Sequence, residues 1–484
     1  MSTDLGDAVS VTPSPVPDGS GETTGRPRER GRAAFAILAV AQGTLIFTIS
    51  LITVPLPVIG REFGVGTAEL VLINAAYGLP YSGLLLFGGR LADRYGGRRM
   101  LVTGLALFGA ASVAAAFVPG FEALVALRST QGVGAALTAP AAIAVLRELF
   151  PSPDAFGRVM ATWGGASVIG AMLGPLASGV VTTWVSWRWM FAFPVVVAAL
   201  TLAVSRALFP AGRADRGASR PGVDPVGAVL ATLGISVGSF GLIFSVDLPW
   251  TSPTVLVPVV VGVVLLGAFL VVERRVRDPL LPPGFTLEPR RFVGLVAILL
   301  AAAGSGVVSF VLSVYLQQVQ GWSPLATAGG YVPFTVALIA SNAAAAPLVA
   351  RLGAPRVTIA GLVVSAAGFA LLTGIDHGSS SAAGLLPGLL LLPVGSSLVF
   401  SGSAVLSTAH VPPRQMGLAG GVMNTGMELG PTVGLAALMS VAGTRPDVVD
   451  GYVWAFGTAG TVHFVAALAS AVLVRARPGA ATNP

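Results

Sequence analysis

Gly88-Gly89-Arg90-Leu91-Ala92-Asp93-Arg94-Tyr95-Gly96-Gly97-Arg98-Arg99-Met100 lies between two long apolar runs and packs four arginines, one aspartate and four glycines into a short connection. In a chain that is 54% hydrophobic and 10% charged, such a segment belongs outside hydrocarbon, on the side of a bilayer where arginine collects. Its glycines permit a sharp turn and close approach of the flanking helices. Charge alone would make it a basic loop of the kind that anchors any membrane protein. Glycine, acid and base at fixed spacing say more than charge does.

The composition excludes an ordinary soluble protein of 484 residues. All 28 basic side chains are arginine, and they fall in short loops between apolar runs, so the formal charge of +7 does not point to a nucleic-acid partner. Cysteine is absent, which removes disulfides, thiolate metal sites and cysteine nucleophiles. His377, His410 and His463 are scattered, and no nucleophile–base pair or phosphate loop is visible. Neither an enzyme nor a cofactor is expected. His463, alone in an apolar run, reads as a packed or interfacial ring.

Residues 1–32, rich in Ser, Thr, Pro, Gly and charge, have too little apolar surface to order and are expected as a disordered cytoplasmic tail. The run from Ala33 to Pro57 is too long for a signal-peptide core and reads as a retained first span. Five more spans follow near 69–89, 100–118, 121–146, 157–182 and 188–208, each close to the roughly 20 residues a bilayer requires. Two further spans near 226–246 and 253–272 lie between basic links, and six more near 292–316, 325–350, 357–375, 382–408, 415–441 and 451–474 make fourteen. The chain divides into an N-terminal six-helix bundle (33–209), a section of links and inserted helices 7 and 8 (210–291), a C-terminal six-helix bundle (292–476) and a second cytoplasmic tail (477–484).

With the amino terminus inside, the cytoplasmic segments hold 24 arginines. External loops hold only Arg61, Arg188 and Arg445, and Arg128 lies within a span. This bias predicts a multi-pass protein of the cell membrane with both termini cytoplasmic. An internal repeat agrees with it. Leu91-x-Asp93-Arg94-x-Gly96-x-x-Arg99 returns as Leu348-x-Ala350-Arg351-x-Gly353-x-x-Arg356, at an offset of 257. Gly170-x-x-x-Gly174-Pro175 returns as Gly426-x-x-x-Gly430-Pro431, at an offset of 256, so both report one duplication.

The spacing Gly89-x-x-x-Asp93-Arg94-x-Gly96-x-Arg98-Arg99 resembles the loop between helices 2 and 3 of major facilitator superfamily transporters, with Gly97 standing where that family usually has a base. Leu124-x-x-x-Arg128-x-x-Gln131-Gly132-x-Gly134-Ala135-Ala136 resembles the span-4 motif of the family's drug:proton antiporters, whose arginine is implicated in proton coupling. Gly170-x-x-x-Gly174-Pro175-x-x-Ser178-Gly179 is similar to the antiporter signature in span 5, with Ser178 in place of its first closing glycine. Trp187-Arg188-Trp189-Met190-Phe191 looks like the start of span 6 in fourteen-span drug exporters, and also suits an aromatic belt at the membrane surface. The resemblance implies an all-α membrane protein of the major facilitator fold. It implies proton-coupled efflux of a small amphipathic drug or antibiotic by alternating access, with a monomer expected and with substrate, protons and lipid as its partners. A metabolite symporter or uniporter of the same fold is the alternative, followed by a membrane sensor or enzyme.

The residues themselves carry part of this. Arg128, deep in span 4, costs at least ~2.5 kcal/mol there unless it faces protein or water. Gln131 falls on its face one turn along. Thr48 occupies the span-1 position where the family's exporters usually carry an aspartate, so Arg128 is expected to lack its usual partner. Glu428 is the only acid deep in a span, with Asn424 and Thr432 on its face. It is a candidate proton carrier, or else a neutral acid bonded within its own helix. Asn74, Tyr77 and Tyr81 in span 2 form a polar stripe that suits a cavity or simple packing, and Asn342 in span 10 is a weaker cavity candidate. Asp93 is expected to latch onto the amino end of helix 13, near Gln415 to Gly421.

Overall fold

Proline, glycine and run length set where these helices start and stop. The computed structural model describes residues 25–210, 224–276, 279–282, 284–376, 382–409, 411 and 416–475. The N-terminal half holds α1 (Gly25–Ser50), α2 (Leu56–Phe63), α3 (Thr67–Tyr95), α4 (Gly97–Ala116), α5 (Phe121–Leu149), α6 (Pro153–Trp184), a 3-10 turn (Trp187–Phe191) and α7 (Ala192–Leu208). The inserted pair is α8 (Pro225–Phe244) and α9 (Pro253–Glu273). The C-terminal half begins with α10 (Pro289–Val314), prolonged by a π-helical segment (Tyr315–Val319), then α11 (Pro324–Gly330) and α12 (Val332–Leu352). It ends with α13 (Ala354–Leu372), α14 (Ala382–Thr408), α15 (Met416–Ala442) and α16 (Val448–Arg475). Among the described residues there is no strand. Twelve helical segments among the described residues are long and apolar enough to cross a membrane. The two Gly-Pro helices, α6 and α15, pack among them, consistent with the fourteen spans expected.

Three boundaries depart from the sequence reading. Helix α1 begins at Gly25, inside the segment expected to be disordered, because arginine is a good helix former and extends a helix already nucleated by its apolar part. Residues 1–24, most of the link 211–223, the carboxyl tail from 476, His377, His410 and Gln415 lie outside the described residues. The first span does not run on to Pro57 but breaks after Ser50, where Pro55 and Pro57 cannot donate the amides a continuous helix needs. The tenth span divides at Tyr331, between Gly329-Gly330 and Pro333, into α11 and α12.

The duplication is visible in the backbone. Gly96 joins α3 to α4 at φ 96°, ψ 136°, and Gly353 joins α12 to α13 at φ 83°, ψ 148°. Only glycine adopts that region without strain. The helix crossings repeat as well. A Cβ on Gly104 would lie 2.7 Å from Gly134 O between α4 and α5, and one on Gly361 would lie 2.8 Å from Gly395 O between α13 and α14. Glycine therefore brings these backbones into contact, as small residues do where lipid supplies no hydrophobic drive between helices.

Apolar packing is distributed unevenly along the bundle. At the end opposite the Gly88–Met100 hairpin, one cluster joins both halves, running from Leu51, Ile52 and Val54 to Val311, Leu312 and Tyr315. Toward the hairpin end the core divides into an N-terminal cluster and small C-terminal ones. Every residue of α15 from 420 to 429 is partly exposed, yet the helix still meets α3 there, a Cβ on Gly421 lying 2.8 Å from Leu86 Cδ2. The apolar core thus joins the halves at one end and is divided between them at the other.

Candidate transport site

Arg128 is fully buried, and the break in α1 supplies its partner. A helix leaves its last carbonyls without intrahelical donors. Nη1 of Arg128 donates to one of them, Thr48 O, at 2.9 Å. A guanidinium at the negative end of a helix also meets favourable dipole charge. The acid missing at position 48 is thus replaced by backbone: the Thr48 hydroxyl turns back to Thr44 O at 2.7 Å, and its side chain is fully buried. The guanidinium carbon lies 5.1 Å from the centre of the Tyr77 ring, within cation–π range. Nε and Nη2 of Arg128 have no hydrogen-bond partner in the protein.

Tyr77 joins the two sides of the site. Its hydroxyl donates to Leu45 O of α1 at 3.2 Å, and its ring meets Tyr81 edge-on at 5.7 Å. A Cβ on Gly132 would lie 2.2 Å from Tyr77 O, so that glycine lets α5 press against α3 beside Arg128. Opposite stands α15, where a Cβ on Gly78 of α3 would lie 2.3 Å from Thr432 Oγ1, one turn beyond Glu428. Arg128 on one side and α15, which carries Glu428, on the other thus both pack against α3 near Tyr77.

The other candidates spread around this centre. Gln131 is fully buried and donates to Ser112 Oγ of α4 at 2.9 Å, a partner that sequence spacing did not expose. Gln42 Nε2 of α1 donates to Ser167 Oγ of α6 at 3.4 Å. Asn74 and Asn424 are partly buried on α3 and α15. Asn342 is partly buried on α12, which packs on α13 and α14 rather than in the seam between halves. In α6, Gly170, Gly174, Pro175 and Gly179 are all buried. A Cβ on Gly170 would fall 2.1 Å from Gly43 O of α1, and one on Gly179 would fall 2.4 Å from Ala328 Cβ of α11. The signature helix thus binds its own half along its length and the other half near its end.

In the hairpin the closest approach is at Gly88, where a Cβ would meet Ala136 O at 2.1 Å, while Gly89 has ordinary room. Arg90 donates to Pro279 O at 2.8 Å and Arg98 to Phe209 O at 3.4 Å. Arg94 sits over Tyr95, and Arg99 and Asp93 are exposed. Arg147 and Arg90 are the charges that act on Asp93.

At the joined end, carbonyls freed by Pro55 and Pro57 accept side chains from the other half. Ser313 Oγ donates to Thr53 O and Gln317 Nε2 to Val54 O, each at 2.7 Å. Ser313 and Gln317 stand one turn apart in the sequence, the signal that could have marked them. Of the aromatic run, Trp187 is buried and Trp189 is 65% exposed, so core and surface share it. Trp187 Nε1 and Arg188 Nη1 donate to Glu62 at 2.6 and 2.5 Å. Burial works against the Glu62 carboxylate, but these hydrogen bonds and the Arg188 charge outweigh it and hold its pKa below the ordinary value.

A helical bundle of two related halves, with a buried charge beside their seam, has the architecture of a membrane transporter. The chain belongs to the Major Facilitator Superfamily, which it matches over residues 38–435 and again over 294–484. It is 32% identical over 466 residues to the puromycin resistance protein pur8 of Streptomyces alboniger, covering 92% of each chain. It is 34% identical over 427 residues, 87% of each chain, to the cephamycin export protein CmcT of Amycolatopsis lactamdurans. Among solved structures, an auto-inhibited POT family peptide transporter aligns with TM-score 0.67 over 94% of this chain and 99% of that one. At 18% identity this likeness concerns the fold alone.

Proposed function

We propose that the protein is a plasma-membrane exporter of small amphipathic compounds of the antibiotic class, driven by proton antiport through alternating access. The observation that carries this reading is the fully buried Arg128 over Tyr77 of α3, a helix that α15, the bearer of Glu428, meets from the other half at the Gly78–Thr432 contact. A charge that moves between water and a closed seam changes the relative energy of two conformations, which is what coupling requires. The relatives named for puromycin resistance and cephamycin export support the substrate class. The arginine bias places the hairpin and both termini in the cytoplasm. In that orientation the apolar cluster that joins both halves lies at the outer end.

The N-terminal side of the site offers a guanidinium with unpartnered donors and no acid at Thr48. Carboxylate-bearing, zwitterionic or neutral compounds are therefore expected to be exported in preference to lipophilic dications. Counterflow in proteoliposomes against a compound panel, with and without a pH gradient, checks this. Transport of quaternary ammonium dyes with none of carboxylate-bearing antibiotics would refute the charge preference, and indifference to the pH gradient would refute antiport.

The hairpin is the proposed cytoplasmic latch, in which Gly89, Asp93, Arg94, Gly96, Arg98 and Arg99 take part. Asp93 is exposed, as a latch not engaged would be. Docking on the amino end of α15 would contribute roughly 0.3–1 kcal/mol, enough to bias two nearly balanced states. Asp93→Asn is expected to slow turnover a few-fold at an unchanged yield of folded protein. Wild-type turnover in this variant would remove the latch.

A further inference from the structure

The duplicated unit has six spans, so the repeat leaves α8 and α9 without a role, and their contacts supply one. Three joints fasten the inserted pair to α3 and its hairpin, from one end of that helix to the other. At the joined end Asp247 Oδ2 accepts from Ala68 N at 3.1 Å, which puts a carboxylate at the positive end of the α3 dipole. Midway, a Cβ on Gly83 would lie 2.9 Å from Thr232 Oγ1 and 3.0 Å from Thr232 Cα. At the hairpin end Arg90 holds Pro279 O at 2.8 Å. Fixed at three heights, the pair moves with the N-terminal half.

Its turn also grips the other half. Ser245 Oγ and Ser440 Oγ of α15 are 2.6 Å apart, and both residues are buried. Ser245 also bonds Leu242 O at 2.7 Å. A hydroxyl has one proton to give, so Ser440 supplies the proton between the two serines. Beside them, a Cβ on Gly443 would lie 2.4 Å from Val246 O, so the two backbones are in contact. We infer that the turn Ser245–Val246–Asp247 is a clasp that holds the two halves together at the joined end and must release when that end opens. One net hydrogen bond in a close-packed contact, about 1 kcal/mol, is strong enough to favour closure and weak enough to break in every cycle. The clasp rests on alternating access and not on the exported compound or the coupling ion.

The chain has no cysteine, so introduced cysteines report without background. A 2.6 Å hydroxyl pair suits replacement by a disulfide of about 2.05 Å. In Ser245→Cys/Ser440→Cys, oxidation is expected to stop counterflow and reduction to restore it. Unchanged counterflow after complete oxidation overturns the clasp. A second measurement needs no substrate and so separates this inference from the proposed function. In purified Ser440→Cys the thiol should react slowly with N-ethylmaleimide. Adding Gly443→Ala, whose methyl collides with Val246 O, should speed the reaction about fivefold, the factor for the roughly 1 kcal/mol assigned to the contact. No acceleration, or equal acceleration at a cysteine replacing buried Ala142 near the hairpin end, overturns the clasp.

Discussion

Glu428→Gln is expected to abolish pH-driven transport into inverted vesicles while leaving substrate binding within a few-fold of the wild type. Glutamine keeps the size and much of the hydrogen bonding of a protonated carboxyl but cannot release a proton. Glu428 stands on the partly exposed face of α15, one turn from the Thr432 contact that closes α3 against α15. In a state open to the cytoplasm its carboxylate would meet water. In the closed seam it would sit in hydrocarbon, where an intramembrane acid costs at least ~2.5 kcal/mol. That difference biases the two conformations by roughly 70-fold, since each 1.36 kcal/mol is a factor of ten. Proton uptake removes the penalty and lets the seam close, and glutamine removes it permanently. The variant should therefore exchange substrate across the membrane but not concentrate it. Counterflow with and without an imposed pH gradient separates these. If Glu428→Gln retains the wild-type pH dependence, the glutamate is structural and coupling must rest on Arg128.

Much of this architecture was legible because it depends on local rules. The 257-residue offset of the hairpin signature anticipated Gly96 and Gly353 in matched left-handed geometry, since only glycine serves at such a joint. The Gly-Pro signatures likewise located α6 and α15. What stayed hidden depends on partners. Hydropathy marks a run from Ala33 to Pro57 as one span, but whether the helix ends before Pro55 and Pro57 depends on what donates to the carbonyls left free at the break. Arg128, Ser313 and Gln317 come from other helices to do so. In the same way, Gly88 and Gly89 look equivalent in sequence, and only the neighbouring Ala136 carbonyl shows which one must lack a side chain. At Thr48 the sequence displays only an uncharged side chain, whereas the backbone carbonyl carries the contact.

That distinction gives the second large effect. Arg128→Met is expected to leave a folded protein that does not transport, and Arg128→Lys to lower transport at least tenfold. Methionine removes a fully buried charge and fills similar space, so the fold loses one expensive group together with its bond. A hydrogen bond from a charged group contributes about 1.5–3 kcal/mol, and Arg128 gives one to Thr48 O. Lysine keeps the charge but not the planar fork, so it cannot reach the α1 carbonyl and lie flat over Tyr77 together. Its compact ammonium also holds water more strongly, which makes closure of the seam around it harder. Thr48→Ala is the decisive companion, because it deletes the hydroxyl and keeps the carbonyl. If the carbonyl is what Arg128 needs, Thr48→Ala should transport within about threefold of the wild type, the cost of a hydroxyl bonded only to Thr44 O of its own helix being ~0.5 kcal/mol. Should Thr48→Ala instead fail as completely as Arg128→Met, the side chain at position 48 takes part in transport, and backbone does not replace the missing acid.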